Sequence, residues 1–303
     1  MLSMMGSSIL FTLVLCPQEG DKTLEELERD SIRLELSIVR EVFDPVEILP
    51  VRLRFVNTSM GKRTLKLNPA LPMLATVYME DPDRGAHRAI SFRSLDITEP
   101  IMTDLDPDDY YETAGFLSPR FTPGKEVPEF RPTREGTWKV WAARELRHVA
   151  MKSNTLTIMV KENKTLPREV RQVFGSEGWH RFALGDGDVN LDPFQKFVQS
   201  GMKAPQLDAM AYLLATTYLN QDQKGEAFKM YAKCLSERGE NVRLAYPTLR
   251  MVEILATQER FNEARDLLGQ VKVNPRDVFR KKLEETKANL LKAKKEHEDR
   301  RGK

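Results

Sequence analysis

The chain has 303 residues, of which 41% are hydrophobic and 30% charged, and its formal net charge is +2. This composition is typical of a globular protein and excludes a largely disordered or fibrous chain. The near-neutral charge gives no reason to expect binding to nucleic acid or to a membrane surface, and we expect neither. The length allows two domains, each with its own hydrophobic core.

Residues 1–16 have features of an export signal. The apolar run over residues 9–16 is too short to span a bilayer as a helix, but has the length of a signal's apolar region. No Lys or Arg precedes this run and no small-residue cleavage site follows it. We expect a secreted, periplasmic or cell-envelope protein, with a cytoplasmic protein as the alternative. Cys16, in LVLC, stands where a bacterial lipoprotein carries its lipid. We expect membrane association only through the leader or through such a lipid anchor.

Residues 30–162 show the two-residue period of half-buried strands. The stretches SIRLELSIV and PVRLRFVN each place their apolar residues on one face: Ile32, Leu34, Leu36 and Ile38 in the first, and Val51, Leu53 and Phe55 in the second. Further candidate strands are RTLKL, MLATVYM, AISF, TWKVWAA and TLTIMV, separated by Pro- and Gly-rich turns. The segment 96–132 shows no regular pattern, and we expect it to be irregular. The pattern predicts an all-β sandwich.

Two parts of this region resemble bacterial immunoglobulin-like domains. EVFDPVEILPVRLRFVNTS is similar to their opening strands, and EGTWKVWAARE followed by SNTLTIMV is similar to their closing pair. The resemblance implies an immunoglobulin-like sandwich but no particular activity. Trp138 and Trp141, three residues apart on one strand, should lie on opposite faces. One should enter the core, and the other should pack on the next domain, be partly covered at the surface, or belong to a binding patch.

Residues 163–205 are predicted to be a linker followed by a first helix. Within them, FALGDGDVNLDPF carries oxygen ligands at every second position: Asp186, Asp188, Asn190 and Asp192. This rhythm is found in calcium loops, but the positions for the turning Gly and the bidentate Glu hold Leu191 and Phe197. We therefore predict that Asp192 is an N-cap and Pro193 the first helical residue, with a calcium site as the alternative.

Residues 206–303 have the spacing of amphipathic helices and repeat with a period of 37, which aligns Ala227 with Ala264. The stretch ERFNEARDLL is similar to the tetratricopeptide repeat. This resemblance implies helical hairpins that end in a charged C-terminal helix, with a groove lined by the first helix of each hairpin. Carried over, the positions predicted to face outward and contact a protein or peptide partner are these: Tyr212, Thr216, Asn220, Leu249, Glu253 and Thr257.

No motif in the sequence points to catalysis, to a metal or to another cofactor. The four histidines have no metal-ligand spacing, and no phosphate-binding or nucleophile motif is present. We therefore predict a multi-domain protein, an immunoglobulin-like β-sandwich followed by tetratricopeptide-like helices, that acts as a non-enzymatic scaffold. The alternatives are a carbohydrate- or calcium-binding sandwich with a structural helical domain, and a hydrolase whose site has no recognisable motif.

Overall fold

A computed structural model describes residues 31–45, 47, 49–67, 76–80, 87–94, 101–118, 135–146, 149–183, 188–237 and 242–301. Within these residues the N-terminal part is built of strands and the C-terminal part of helices, so the predicted division into two parts is confirmed. We call residues 31–160 the β region and residues 168–301 the helical region. The leader predicted over residues 1–16, with Cys16, lies outside the described residues, and export therefore stays a prediction.

The β region contains ten described strands. They are β1 Ile32–Ile38, β2 Val42–Phe43, β3 Pro50–Asn57, β4 Arg63–Leu67, β5 Thr76–Glu80, β6 His87–Ser94, β7 Ile101–Leu105, β8 Tyr110–Ser118, β9 Gly136–Leu146 and β10 Val149–Val160. One sheet has the order β1-β3-β8-β6-β5-β9-β10-β2, and β4 pairs with β7 in a second, two-stranded sheet. Strands β7 and β8 lie in the segment 96–132, so the prediction that it is irregular is wrong for residues 101–118. Residues 96–100 and 119–132 lie outside the described residues.

The period-two residues of β1 and β3 form part of the core of the β region. Leu34 pairs with Phe55 and Leu36 with Leu53 in an antiparallel register, and all four side chains are buried. A one-residue slip of either strand would move its apolar row to the other face, so burial fixes this register. The same core includes Trp138 and Val140 of β9.

The sheet bends until its first strand meets β10, and one side chain joins the two strands. The Asn154 amide donates to the Leu36 carbonyl oxygen at 2.9 Å, and its oxygen accepts from the Leu36 N–H at 2.9 Å. These bonds replace a backbone pair of a β-ladder. Asn154 can make them because the register between β9 and β10 shifts between Lys152 and Thr155, as in a β-bulge.

The helical region contains eight described helices. They are α1 Arg168–Phe174, α2 Glu177–Ala183, α3 Asp192–Gln199, α4 Leu207–Asn220, α5 Lys224–Glu237, α6 Ala245–Thr257, α7 Phe261–Gly269 and α8 Phe279–Arg301. The segment predicted as a linker thus contains two helices before α3. From α4 to α8, each helix packs on the next along the chain. Ala227 and Ala264 are fully buried on α5 and α7, where small side chains let helices approach.

The turns inside the two hairpins have the same geometry. Asp222, after α4, has φ 56°, and Glu259, after α6, has φ 60°. In each turn the next amide donates to the carbonyl five residues back, at 2.8 Å in the first turn and 3.0 Å in the second. This is the Schellman arrangement, which commonly has Gly at the left-handed position. The two turns are 37 residues apart, so the structure repeats with the period of the sequence.

A buried ion pair fixes the helical region against the β region. Asp277, before α8, forms it with Arg243, before α6, and their side chains are 2% and 15% exposed. The Asp277 carboxylate also accepts from the Phe279 N–H at 2.9 Å, at the start of α8. Arg243 donates to the carbonyl oxygen of Glu112 in β8 at 3.3 Å. One carboxylate therefore orients α8, the loop before α6 and, through Arg243, strand β8.

The backbone reinforces this junction. The Tyr110 N–H donates to the Arg276 carbonyl at 2.9 Å, and the Tyr110 carbonyl accepts from the Val278 N–H at 3.0 Å. Tyr110 and Asp277 thereby form a single parallel β-bridge. The Val278 side chain belongs to the core of the β region. The segment before α8 therefore acts as a short extension of the sheet.

A second contact fastens the first helix. Arg171 of α1 forms ion pairs with Asp44, after β2, and with Glu162, each at 3.3 Å. The Asp44 carboxylate also accepts from the Asn163 N–H at 2.7 Å. Because the Asp44 side chain is 1% exposed, its charge is held by partners from the connecting segment and α1. These bonds therefore fix the segment that connects the two regions, directly after β10.

We predict that Asp222→Gly stabilises the protein by about 0.5–1 kcal/mol. The left-handed conformation costs a non-Gly residue about 1–2 kcal/mol, and Gly removes this cost. Gly also gives the unfolded chain more conformational freedom, which offsets about 0.5–1 kcal/mol of the gain. Urea unfolding measures the change. The control is Gln221→Gly, because Gln221 has φ −90° and offers no strain to relieve. Equal effects of the two changes would contradict this account.

We predict that Asp277→Ala destabilises the protein by about 3 kcal/mol or more, because the Arg243 charge stays buried without its carboxylate. The β and helical regions should then unfold in separate steps, seen as non-coincident transitions in far-ultraviolet circular dichroism and tryptophan fluorescence. Asp266→Ala is the control, since Asp266 forms an exposed ion pair and should cost less than about 0.5 kcal/mol. A loss as small as that of the control would show that the junction contributes little.

Candidate functional site on the helical hairpins

The six positions predicted to contact a partner differ in accessibility. Tyr212 is 5% exposed and Leu249 is 4% exposed, so the prediction that these two side chains face outward is wrong. Tyr212 packs against the Tyr231 ring at 5.7 Å between centroids, and Leu249 lies in the core shared by α6, α7 and α8. The other four are accessible in part or in full: Thr216 and Glu253 are half-buried, and Asn220 and Thr257 are exposed. Their contact with a partner stays a prediction.

Two of the accessible positions, Thr216 and Glu253, belong to a polar cluster, which we define as Thr216, Tyr231, Arg250 and Glu253. The Thr216 hydroxyl lies 3.4 Å from the Tyr231 hydroxyl and donates to the Tyr212 carbonyl at 3.0 Å. Arg250 and Glu253, one turn apart on α6, form a hydrogen-bonded ion pair at 2.8 Å. The polar cluster therefore draws side chains from α4, α5 and α6, and so from both hairpins.

The electrostatics of the polar cluster depend on partial burial. Burial raises the pKa of the Tyr231 phenol, although the Thr216 contact and the Arg250 charge oppose the shift. Burial lowers the pKa of the Arg250 guanidinium, but Glu253 and the nearby tyrosines outweigh it, and the net shift is upward. Arg250 thus stays a cation and Tyr231 a neutral hydroxyl near neutral pH. Because Tyr231 is buried, the groups of the cluster open to a partner are the Arg250 guanidinium, the Glu253 carboxylate and the half-buried Thr216 hydroxyl.

Arg250 is a member of the cluster that the motif comparison missed. That comparison assigned Leu249, Glu253 and Thr257 to one outward stripe. In the structure the stripe begins one residue later, at Arg250, because Leu249 turns into the core. The i, i+3 spacing of opposite charges at 250 and 253 was the available sequence signal.

The aspartate-rich loop is used as a helix start in the part that is described. Helix α3 begins at Asp192 with Leu191 in the N-cap position, so the prediction that Asp192 is the N-cap is wrong by one residue. The Asn190 side-chain oxygen accepts from the Asp192 N–H at 3.1 Å. Asp186 lies outside the described residues. Within the described ranges, no three His, Cys, Asp or Glu side chains are grouped to hold a metal ion.

The two tryptophans of β9 lie on opposite faces, as their spacing predicts. Trp138 is buried in the core of the β region. Trp141 is half-buried and stacks on Tyr78, with centroids 5.6 Å apart and planes 10° apart. The Lys152 ammonium lies 4.9 Å from the Trp141 centroid. These two contacts of Trp141 are with its own sheet. Packing of Trp141 on the next domain stays a prediction.

Two other side chains could take part in catalysis, His180 and Cys234, but both make structural contacts. His180 forms a hydrogen bond through Nε2 with the Phe174 carbonyl oxygen at 2.9 Å, beside the buried Trp179. Cys234 is a free, fully buried thiol on α5. Burial raises its pKa well above the ordinary value, and the nearby Asp208 carboxylate adds to the shift. A thiol in this state is a poor nucleophile near neutral pH.

The comparisons with known proteins give no family. No family profile and no curated protein matches the sequence. Among solved structures, a β-glucosidase from Erythrobacter marinus is 12% identical with a TM-score of 0.27, over 43% of this chain and 15% of that chain. The alkylpurine DNA glycosylase AlkC of Pseudomonas fluorescens is 8% identical with a TM-score of 0.26, over 43% of this chain and 30% of that chain.

A small domain is also similar. The CARDB domain of a Pyrococcus furiosus protein, in complex with di-metal ions, is 13% identical with a TM-score of 0.24, over 44% of this chain and 94% of that chain. Structural similarity at these scores carries no argument about activity or ligands. Separately, no helix in the described part of the chain is both long and apolar enough to span a membrane.

We predict that Cys234 does not react with a thiol reagent in the folded protein. The thiolate is the reactive form, and burial removes both that form and access to it. The measurement is labelling by a disulfide reagent of Cys16→Ser protein, in which Cys234 is the one cysteine left. Full labelling should require unfolding by urea. Rapid labelling of the folded protein would contradict the buried position of Cys234.

Proposed function

We propose that this protein is a non-enzymatic scaffold that binds a protein or peptide partner through its helical hairpins. The observation that supports the proposal is the polar cluster, in which the half-buried Thr216 of the first hairpin lies with the accessible Arg250 and Glu253 of the second. The exposed Asn220 and Thr257 lie on the same two helices, α4 and α6, as Thr216, Arg250 and Glu253. Binding would extend along these helices.

The repeated hairpin geometry favours a tetratricopeptide-like module as the finer assignment. The shared offset of 37 residues, the matching left-handed turn residues and the two buried alanines are the supporting features. Helices α1–α3 and α8 would then cover the two ends of a short stack, since two hairpins alone leave apolar faces open.

An immunoglobulin-like sandwich is the matching proposal for the β region. The pairing of the first strands supports it. β1 pairs antiparallel with β3, whereas the strand between them in the chain, β2, pairs parallel with the last strand, β10. The fold itself implies no activity. Its role in a scaffold would be to hold the helical hairpins in a fixed orientation through the Asp277–Arg243 junction.

The scaffold proposal has more support than the alternatives drawn from the sequence. In a carbohydrate-binding sandwich, Trp141 would be the stacking surface, but it already contacts Tyr78 and Lys152. No specific observation favours calcium binding or hydrolysis. The export of the protein to the cell envelope remains part of the proposal and depends on residues 1–16.

We predict that Glu253→Lys weakens partner binding by about tenfold or more, because it reverses a charge in the polar cluster and leaves Arg250 beside a second cation. The measurement is site-specific photo-crosslinking in cells from a reactive residue placed at Asn220 or Thr257. Both positions should capture the same partner, and Glu253→Lys should abolish the capture. A reactive residue at Lys229, on α5, should not capture that partner.

The matched control for this experiment is Glu263→Lys. Glu263 also pairs with an arginine three residues away on a helix, at 2.6 Å, but it is exposed at the start of α7 and outside the polar cluster. Capture should survive this change. Capture that persists in Glu253→Lys protein, or that fails equally in both variants, would contradict the proposed binding surface.

A further inference from the structure

The two most exposed large apolar side chains in the described part of the chain lie at one small sheet. Met60, in the turn before β4, is 97% exposed, and Met102, on β7, is 73% exposed. Among the described strands, β4 and β7 pair only with each other. A single exposed apolar residue is normal at a protein surface, but two at the same two-stranded sheet make this sheet a candidate interaction surface.

The outer face of this sheet is turned to solvent. Leu65 of β4 and Leu105 of β7 are fully buried and define the inner face. Because successive side chains of a strand alternate between the two faces, Thr64, Asp104 and Met102 lie on the outer face. Thr64 stands opposite Asp104, and its hydroxyl donates to the Asp104 carboxylate at 2.8 Å. The outer face therefore has a polar centre and an apolar end at Met102.

The polar centre carries one charge of each sign. The Lys62 ammonium lies 2.9 Å from the Asp104 carboxylate, and the two side chains are 59% and 42% exposed. Lys62 and Thr64 lower the pKa of the Asp104 carboxyl, which is therefore ionised at neutral pH. The charges nearest to this pair are Asp106, which acts on Lys62, and Lys281, which acts on Asp104. An ammonium has three N–H donors and a carboxylate about four acceptor sites, so both groups can bind further partners.

The turn that carries Met60 is held in one conformation. Asn57, at the end of β3, is fully buried, and its amide donates to the carbonyl oxygens of Gly61 at 2.8 Å and Leu105 at 2.9 Å. Its side-chain oxygen accepts from the Ser59 N–H at 3.0 Å and from the Ser59 hydroxyl at 2.7 Å. The bond to Leu105 connects the turn to β7. The backbone at Met60 is therefore already ordered, and little backbone entropy is lost when another molecule covers it.

The order of these groups along the sheet is self-complementary. Met102 lies two residues to one side of Asp104, whereas Lys62 and then Met60 lie on the other side of the Thr64–Asp104 pair. A two-fold axis that crosses the sheet between Lys62 and Thr64 would place Lys62 of each copy opposite Asp104 of the other. The same axis would bring Met60 of each copy to Met102 of the other. A two-fold dimer uses one patch twice, so the patch must complement itself in this way.

We propose that this face, formed by Met60, Lys62, Thr64, Met102 and Asp104, is a docking surface for a second copy of the chain, related by a two-fold axis. The two lysines and two aspartates would form a network of alternating charge, and the flexible methionine side chains would fill the space around it. Because the patch is small, the dimer is weak, with a Kd on the order of 100 µM. It would present two helical regions at once, whatever their hairpins bind.

The first test is sedimentation equilibrium of the full chain, in a reducing buffer so that Cys16 cannot link two chains. The mean mass should rise from that of the monomer toward that of the dimer between about 10 µM and about 1 mM. Met60→Lys and Met102→Lys should each weaken association by about tenfold or more, because each removes a buried methionine from the interface. Met159→Lys is the matched control and should leave association unchanged, since Met159 is also exposed but lies on β10.

The second test uses the two-fold arrangement of charges. Lys62→Asp protein and Asp104→Lys protein should each associate more weakly than the unchanged chain, because each would place like charges opposite each other. An equimolar mixture of the two should associate more strongly than either alone, because both contacts across the axis then join opposite charges. The control mixture is Lys161→Asp with Asp266→Lys, which gives the same net charges at exposed residues away from this face. Mixing these two should not strengthen association.

Three results would overturn this assignment. The first is a chain that stays monomeric up to about 1 mM, well above the expected Kd. The second is an association that Met159→Lys weakens as much as Met60→Lys and Met102→Lys do, which would show non-specific contact between apolar residues. The third is a mixture of the two charge variants that associates no better than each alone, which would exclude the two-fold arrangement. Circular dichroism establishes that each variant is folded before its association is compared.

Discussion

The buried carboxylate of Asp277 is the constraint on which the relation between the two regions depends. A charged group in this position costs several kcal/mol in lost hydration unless partners surround it. Arg243 supplies the counter-charge, and the N–H of Phe279 supplies a further donor. Since these partners come from the loop before α6 and the start of α8, and Arg243 also bonds to β8, the carboxylate is stable only when all of these elements are in place.

This constraint also connects the β region to the proposed binding surface of the hairpins. The Tyr110 backbone bridges to Asp277, and its ring lies 4.4 Å below the Arg54 guanidinium carbon. Arg54 belongs to β3. On the other side, Arg243 lies two residues before α6, the helix that carries Arg250 and Glu253. A continuous set of packed and hydrogen-bonded groups therefore runs from Arg54 in the β region to the start of α6, and such a set fixes the orientation of this helix.

The sequence predicted a strand where one face of the strand is apolar and the other is polar. Strands β1 and β3 have polar residues on one face, so their alternation is visible. Strand β8 is different, because Glu112 and Ala114 are buried on one face while Tyr111 and Thr113 are buried on the other. Burial on both faces removes the alternation, and the strand was missed. The offset of 37 residues was visible because a buried alanine recurs at the same place in each hairpin.

The candidate sites were predictable only in part. The motif comparison found the right helices, but the rotation of each helix is set by packing, such as that of Tyr212 on Tyr231, and no motif encodes it. The bridge between β1 and β10 was beyond local patterns, because Asn154 and Leu36 are 118 residues apart.

The position of Asp277 along the chain has a consequence for synthesis. The strands of the β region leave the ribosome first, but the segment that extends the sheet at Tyr110 follows only after both helical hairpins have been made. Until then the outer end of β8 lacks its neighbour. The nascent protein should consequently pass through a stage in which the β region and the helical hairpins are formed but not yet joined. A chaperone would bind the protein at that stage.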